Sequence, residues 1–137
     1  MADEYEITSK AVESQSSSVI VVADNCQDNL AFISFVLDAL KFKYYLASDG
    51  ETALDLVKEK SPDLVLLDII MPGMNGIEVN VLIKNNLSTS HIPTVAITGL
   101  TEPKDLTAIK DSGFDEYIIK PFMIEDLENM LVRLLNK

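Results

Sequence analysis

Four polar residues stand at the ends of short apolar runs: Asp24 after VIVVA, Asp68 closing LVLLD, Thr98 closing TVAIT, and Lys120 after YII. Together they supply two carboxylates, a hydroxyl and an ammonium. Two carboxylates about 4 Å apart repel by roughly 4 kcal/mol at an effective dielectric near 20, so the pair calls for a cation. Hard oxygen donors with room left for waters suit Mg²⁺ (or Mn²⁺), which seldom gives up its whole water shell to protein. A lysine offers a point charge for a carboxylate or a phosphoryl oxygen, and a threonine hydroxyl can donate to another. This is the equipment of aspartyl-phosphate chemistry, in which a carboxylate is the nucleophile and cations absorb the charge of the transferred group. Each residue alone has a plainer role: helix cap, turn former, strand-end hydroxyl, solvated charge. The signal is their joint occurrence at successive strand ends.

The elements that must position them alternate along the chain. Val19–Ala23 is a β-branched apolar run suited to a strand buried on both faces. Leu30, Ile33, Val36, Leu37 and Leu40 follow at helical spacing. The pattern continues with strands at Tyr44–Ala47, Leu64–Asp68, Thr94–Thr98 and Tyr117–Ile119. Helices are expected at Glu51–Lys60, Ile77–Asn86, Lys104–Ser112 and Ile124–Asn136. Pro62, Pro93 and Gly113 punctuate the boundaries. Five strand–helix units with short connections predict an α/β three-layer fold, a parallel sheet covered on both faces. Its functional crevice lies beyond the carboxyl ends of the strands, where the four polar residues fall.

Composition narrows the class. A chain of 137 residues with 47% hydrophobic and 24% charged residues can bury a real core without staples. Residues 1–17 are polar, acidic and serine-rich without periodicity, so they are expected to form a loose tail before a domain at 18–137. The net charge of −11 argues against nonspecific nucleic-acid or anionic-membrane binding. A lone Cys26 excludes an internal disulfide and suggests a reducing compartment. Without a long apolar run or a basic leader, a soluble cytoplasmic protein is expected.

The segments VIVVADN, LVLLDIIMPGMNG, VAITG and YIIKPF resemble the marker segments of response-regulator receiver domains of the chemotaxis-regulator type. The resemblance covers about residues 19–136. It implies a doubly wound sheet in order 2-1-3-4-5, with Asp68 as phosphoacceptor and Thr98 and Lys120 as the phosphoryl-contacting pair. It further implies Asp24, Asp68 and the backbone carbonyl of Ile70 as Mg²⁺ ligands, and a cis peptide at Lys120–Pro121. The family carries two adjacent acids after the first strand. Taking Ala23 as the first of those positions predicts weakened metal affinity, with Asn25 a candidate to hold a bridging water. Ile70 and Leu100 occupy positions that tune hydrolysis in the family; both are apolar, which predicts a long-lived phosphoryl group. Thr98 and Tyr117 match the switch pair, with Glu102–Asn136 as the readout face.

The expected function is a stand-alone receiver that takes phosphate from a histidine kinase or phosphotransfer protein and signals to a protein effector, as a monomer or weak dimer. It would catalyse only its own phosphorylation and dephosphorylation. The competing expectation is a degenerate receiver that acts as an interaction module without phosphate. Haloacid-dehalogenase-type enzymes need an acid where Ile70 stands. Flavodoxins need a Ser/Thr/Gly-rich phosphate loop, which ADNCQDN is not.

Overall fold

Strand β1 (Val19–Ala23) alternates its side chains between two hydrophobic layers, and this alternation organises the whole molecule. Ile20 and Val22 enter one layer, closed by helices α1 (Gln27–Ala39) and α5 (Ile124–Leu135). Val21 and Ala23 enter the other, closed by α2 (Gly50–Lys60), α3 (Gly76–Lys84) and α4 (Pro103–Asp111). The computed structural model describes residues 18–135. The tail expected at residues 1–17 lies outside the described residues.

All strand pairs are parallel. The order is β2-β1-β3-β4-β5, with β2 at Lys43–Ala47, β3 at Leu64–Asp68, β4 at Thr94–Thr98 and β5 at Glu116–Ile119. The central strands β3 and β4 are buried along their whole length, as their unbroken apolar runs require. The edge strands β2 and β5 are mostly half-buried or exposed. This is the three-layer α/β architecture expected from the periodicity, in the strand order implied by the resemblance.

Local chemistry sets the helix ends. The Asp49 carboxylate caps α2 by accepting from the Thr52 N–H at 2.8 Å. Asn75 and Glu78 form a reciprocal capping box at the start of α3. That helix stops at Lys84, short of the expected Asn86. The Thr89 hydroxyl donates to the Ile83 carbonyl at 2.7 Å, and Asn86 gathers a turn of its own, so side chains replace the last helical bonds. Helix α4 begins with Pro103 at its first turn and fully buries a single residue, Ile109, whereas α1 buries four. It is therefore the helix held least firmly to the sheet.

Gly76 fixes how α3 meets the functional rim. A Cβ there would lie 2.3 Å from the Asp68 carbonyl oxygen and 2.9 Å from the Ile69 Cα. Only a residue without a side chain lets the helix start so close behind Asp68. Gly76→Ala is expected to cost about 1–3 kcal/mol in urea unfolding. It should also shift the Asp68 amide resonance, because the clash falls on that residue's backbone.

Candidate functional site

The strand ends deliver Asp24, Asp68, Thr98 and Lys120 to one rim of the sheet. Asp24 and Asp68 are 0% and 2% exposed, so two carboxylates are withdrawn from water side by side. Lys120 bridges them, with Nζ 3.4 Å from Asp68 Oδ1 and 4.0 Å from Asp24 Oδ2. The lysine backbone is tied to the neighbouring strand, its N–H donating to the Thr98 carbonyl at 2.8 Å, and the Lys120–Pro121 peptide is cis.

Burial raises the Asp68 carboxyl to about 6, and the charge on Asp24 pushes in the same direction. The Lys120 ammonium and the Ile70 N–H, which donates to Asp68 Oδ1 at 3.3 Å, pull it partly back. One ammonium thus compensates the rim only partly, and a further cation would relieve it.

The donor set fits a hard divalent ion. Asp24 and Asp68 present carboxylate oxygens, and the Ile70 carbonyl accepts no hydrogen bond from the described residues. Among the described residues no cluster of three His, Cys, Asp or Glu side chains forms a richer site.

Thr98 is fully buried at the end of β4, and its Oγ1 accepts from the Leu100 N–H at 2.8 Å. The plain local bond available to a strand-end threonine is therefore made. Register pairs Asp68 with Ile97, which sets Thr98 one residue further out on the adjoining strand. Ile70 is 60% exposed in the β3–α3 loop. The Leu100 and Tyr117 side chains both pack partly against the layer under α2, α3 and α4, so neither reaches the carboxylates with a polar group in this state. His91 and Cys26 are exposed. Cys26, at the start of α1, contributes its backbone N–H, which donates to Asp24 Oδ1 at 2.9 Å.

Ala23 closes β1 one residue before Asp24, in register with Ala47 and Leu67. Its side chain is fully buried in the same layer as Val21, Val65 and Leu67, on the hydrocarbon side of β1. A methyl group stands there in place of the acid that the resemblance assigns to this position, so Asp24 and Asp68 are the carboxylates of the rim. The residue next along the rim after Asp24 is Asn25, which is exposed.

Two measurements test these assignments. Because the folded Asp68 holds its proton more tightly than an unfolded aspartate, its contribution to stability is full below pH 4 and lost as pH rises through about 6. Asp68→Asn should therefore exceed the wild type by about 1–3 kcal/mol in urea unfolding at pH 7.5 without divalent ions, the gap closing at pH 4. Asn25→Asp should keep the fold and tighten Mg²⁺ binding by about tenfold in calorimetric titration, by adding a ligand charge at the rim.

Known proteins bear on this geometry. The sequence profile of the response regulator receiver domain matches residues 20–132. A probable cyclic di-GMP phosphodiesterase of Vibrio cholerae is 38% identical over 119 residues, covering 87% of this chain and 27% of that protein. The chain spans less than half the length of the curated MtrA and histidine kinase relatives that it also matches. Chemotaxis protein CheY4 of Vibrio cholerae shares the fold with a TM-score of 0.82 at 24% identity, covering 87% of this chain and 99% of that one. The receiver domain of sensor histidine kinase PA1611 from Pseudomonas aeruginosa, with magnesium in its active-site cleft, superposes with a TM-score of 0.83 at 22% identity, covering 88% and 99%. The chain belongs to the response regulator receiver domain family, the signalling domains of two-component systems.

Proposed function

We propose that this receiver accepts a phosphoryl group on Asp68 from a histidine kinase or phosphotransfer protein and signals through a changed protein-binding face. The observation that carries the proposal is the Asp68 carboxylate itself: nearly fully buried, raised by burial and by Asp24, and partnered by one ammonium at 3.4 Å. A carboxylate kept only to stabilise a fold would be better compensated.

In the proposed step an Asp68 oxygen attacks phosphorus as the bond from phosphorus to the donor's imidazole nitrogen breaks, and the nitrogen keeps the electron pair. A bound Mg²⁺, held by Asp24, Asp68 and the Ile70 carbonyl, supplies electrostatic relief for the charge on the phosphoryl oxygens. With two rather than three acidic side chains, that ion is held weakly. Lys120, already beside Asp68, meets one phosphoryl oxygen, and the Thr98 hydroxyl donates to another.

Thr98 must give up its bond from the Leu100 N–H to turn toward the phosphoryl group. That exchange costs about 1 kcal/mol, small beside the charge-assisted bond gained. The space it leaves admits Tyr117, and the change is a shift between two packings of one fold. Helix α4, anchored by Ile109, moves at low cost, so α4, β5 and α5 form the readout face. Apolar Ile70 and Leu100 cannot orient an attacking water by hydrogen bonding, which gives the phosphoryl group a long life. The acidic balance points to a protein partner rather than nucleic acid, and a cytoplasmic location goes with that pathway. Among the described residues no helix is long and apolar enough to cross a membrane.

Incubation with acetyl phosphate and Mg²⁺ should yield one phosphoryl adduct by intact mass, absent in Asp68→Asn and lost on chelation. After donor removal the adduct should persist for many minutes, and Ile70→Asn should shorten its life several-fold. No adduct at saturating donor, together with silence of the Asp68 resonance toward beryllium fluoride, would instead favour the phosphate-independent interaction module.

A further inference from the structure

The rim holds two buried acids and one ammonium, and something must decide which acid the ammonium serves. Asp24 Oδ1 accepts from the Cys26 N–H at 2.9 Å, and its Oδ2 accepts from Asn29 Nδ2 at 3.2 Å. Lys120 stands 4.0 Å from that same Oδ2, beyond hydrogen-bond distance, and 3.4 Å from Asp68 Oδ1. An ionised carboxylate can only accept, so the Asn29 amide must turn its nitrogen toward Asp24.

We infer that Asn29 is a positioning residue: its carboxamide hydrogen satisfies the outer oxygen of Asp24 and thereby leaves Lys120 to Asp68. Asn29 sits in the first turn of α1, half-buried, and lines a pocket of about 420 Å³ together with Phe32, Lys120, Pro121 and Phe122. It therefore occupies the ground between the two acids' cation and the outer side of Asp24. Its donor is neutral, so it stabilises the Asp24 carboxylate without competing for anions. Asp24, fully buried, cannot replace a lost donor with bulk water at no cost. Without the amide, Lys120 Nζ, 4.0 Å away, is a donor that Oδ2 can recruit. Moving toward it withdraws the ammonium from Asp68. The same bond fixes the carboxylate that would ligate Mg²⁺, and loss of such a supporting partner commonly weakens metal binding 10–100-fold.

The inference deepens the function proposed above, and its test is chosen to stand apart from it. In the metal-free, unphosphorylated protein, a crystal structure of Asn29→Leu should show Lys120 Nζ in contact with Asp24 and drawn away from Asp68. Calorimetry should show Mg²⁺ affinity reduced by about tenfold in Asn29→Leu. It should be largely restored in Asn29→Gln, which keeps the amide donor. In an Asp24→Asn background the Asn29→Leu change should have no further effect on affinity, because the residue acts through Asp24. Lys120 remaining at Asp68 in Asn29→Leu, or additive losses in the double variant, would overturn the inference. Absence of an Asp68 phosphoryl adduct would sink the proposed function, whereas the lysine position and the metal affinity decide the role of Asn29 independently of any adduct.

Discussion

The site depends on holding two carboxylates, Asp24 and Asp68, side by side where little of either meets solvent. Both lie at the carboxyl ends of adjacent central strands, where parallel pairing brings neighbouring termini together and the layers of helices exclude solvent. The sheet could close this rim with apolar residues at lower cost. It instead surrounds the acids with a small set of donors: one ammonium, one side-chain amide and two backbone N–H groups. In the proposed function, that shortfall of positive charge is what a divalent ion would offset, and only with it in place would further negative charge be tolerable.

Much of this was legible in the amino-acid order. Asp68, Thr98 and Lys120 could be picked out because each ends an apolar run, and parallel sheets gather strand ends. The α/β class followed from periodicity alone. Asn29 carries no such signal, since its partner is five residues back and across the strand-to-helix turn. Gly76 closes a segment carrying the family resemblance, yet its reason, a close approach to the Asp68 carbonyl, exists only in three dimensions.

The boundary differences have a similar cause. Periodicity places the apolar stripe of α3 well, but the end of the helix is set by Asn86 and Thr89, whose side chains take over the hydrogen bonding. Polar side chains near an end can support either outcome, and the local competition is decided by what the next strand requires.

Helix α4 offers one more consequence. Since Ile109, with Leu106 partly packed beside it, seats the helix, most of its other positions face outward and carry little of the fold's energy. Substitutions there can accumulate or be engineered without loss of the sheet beneath. The fold thus separates a rim whose geometry is fixed by buried groups from an outer coat whose surface can be rewritten.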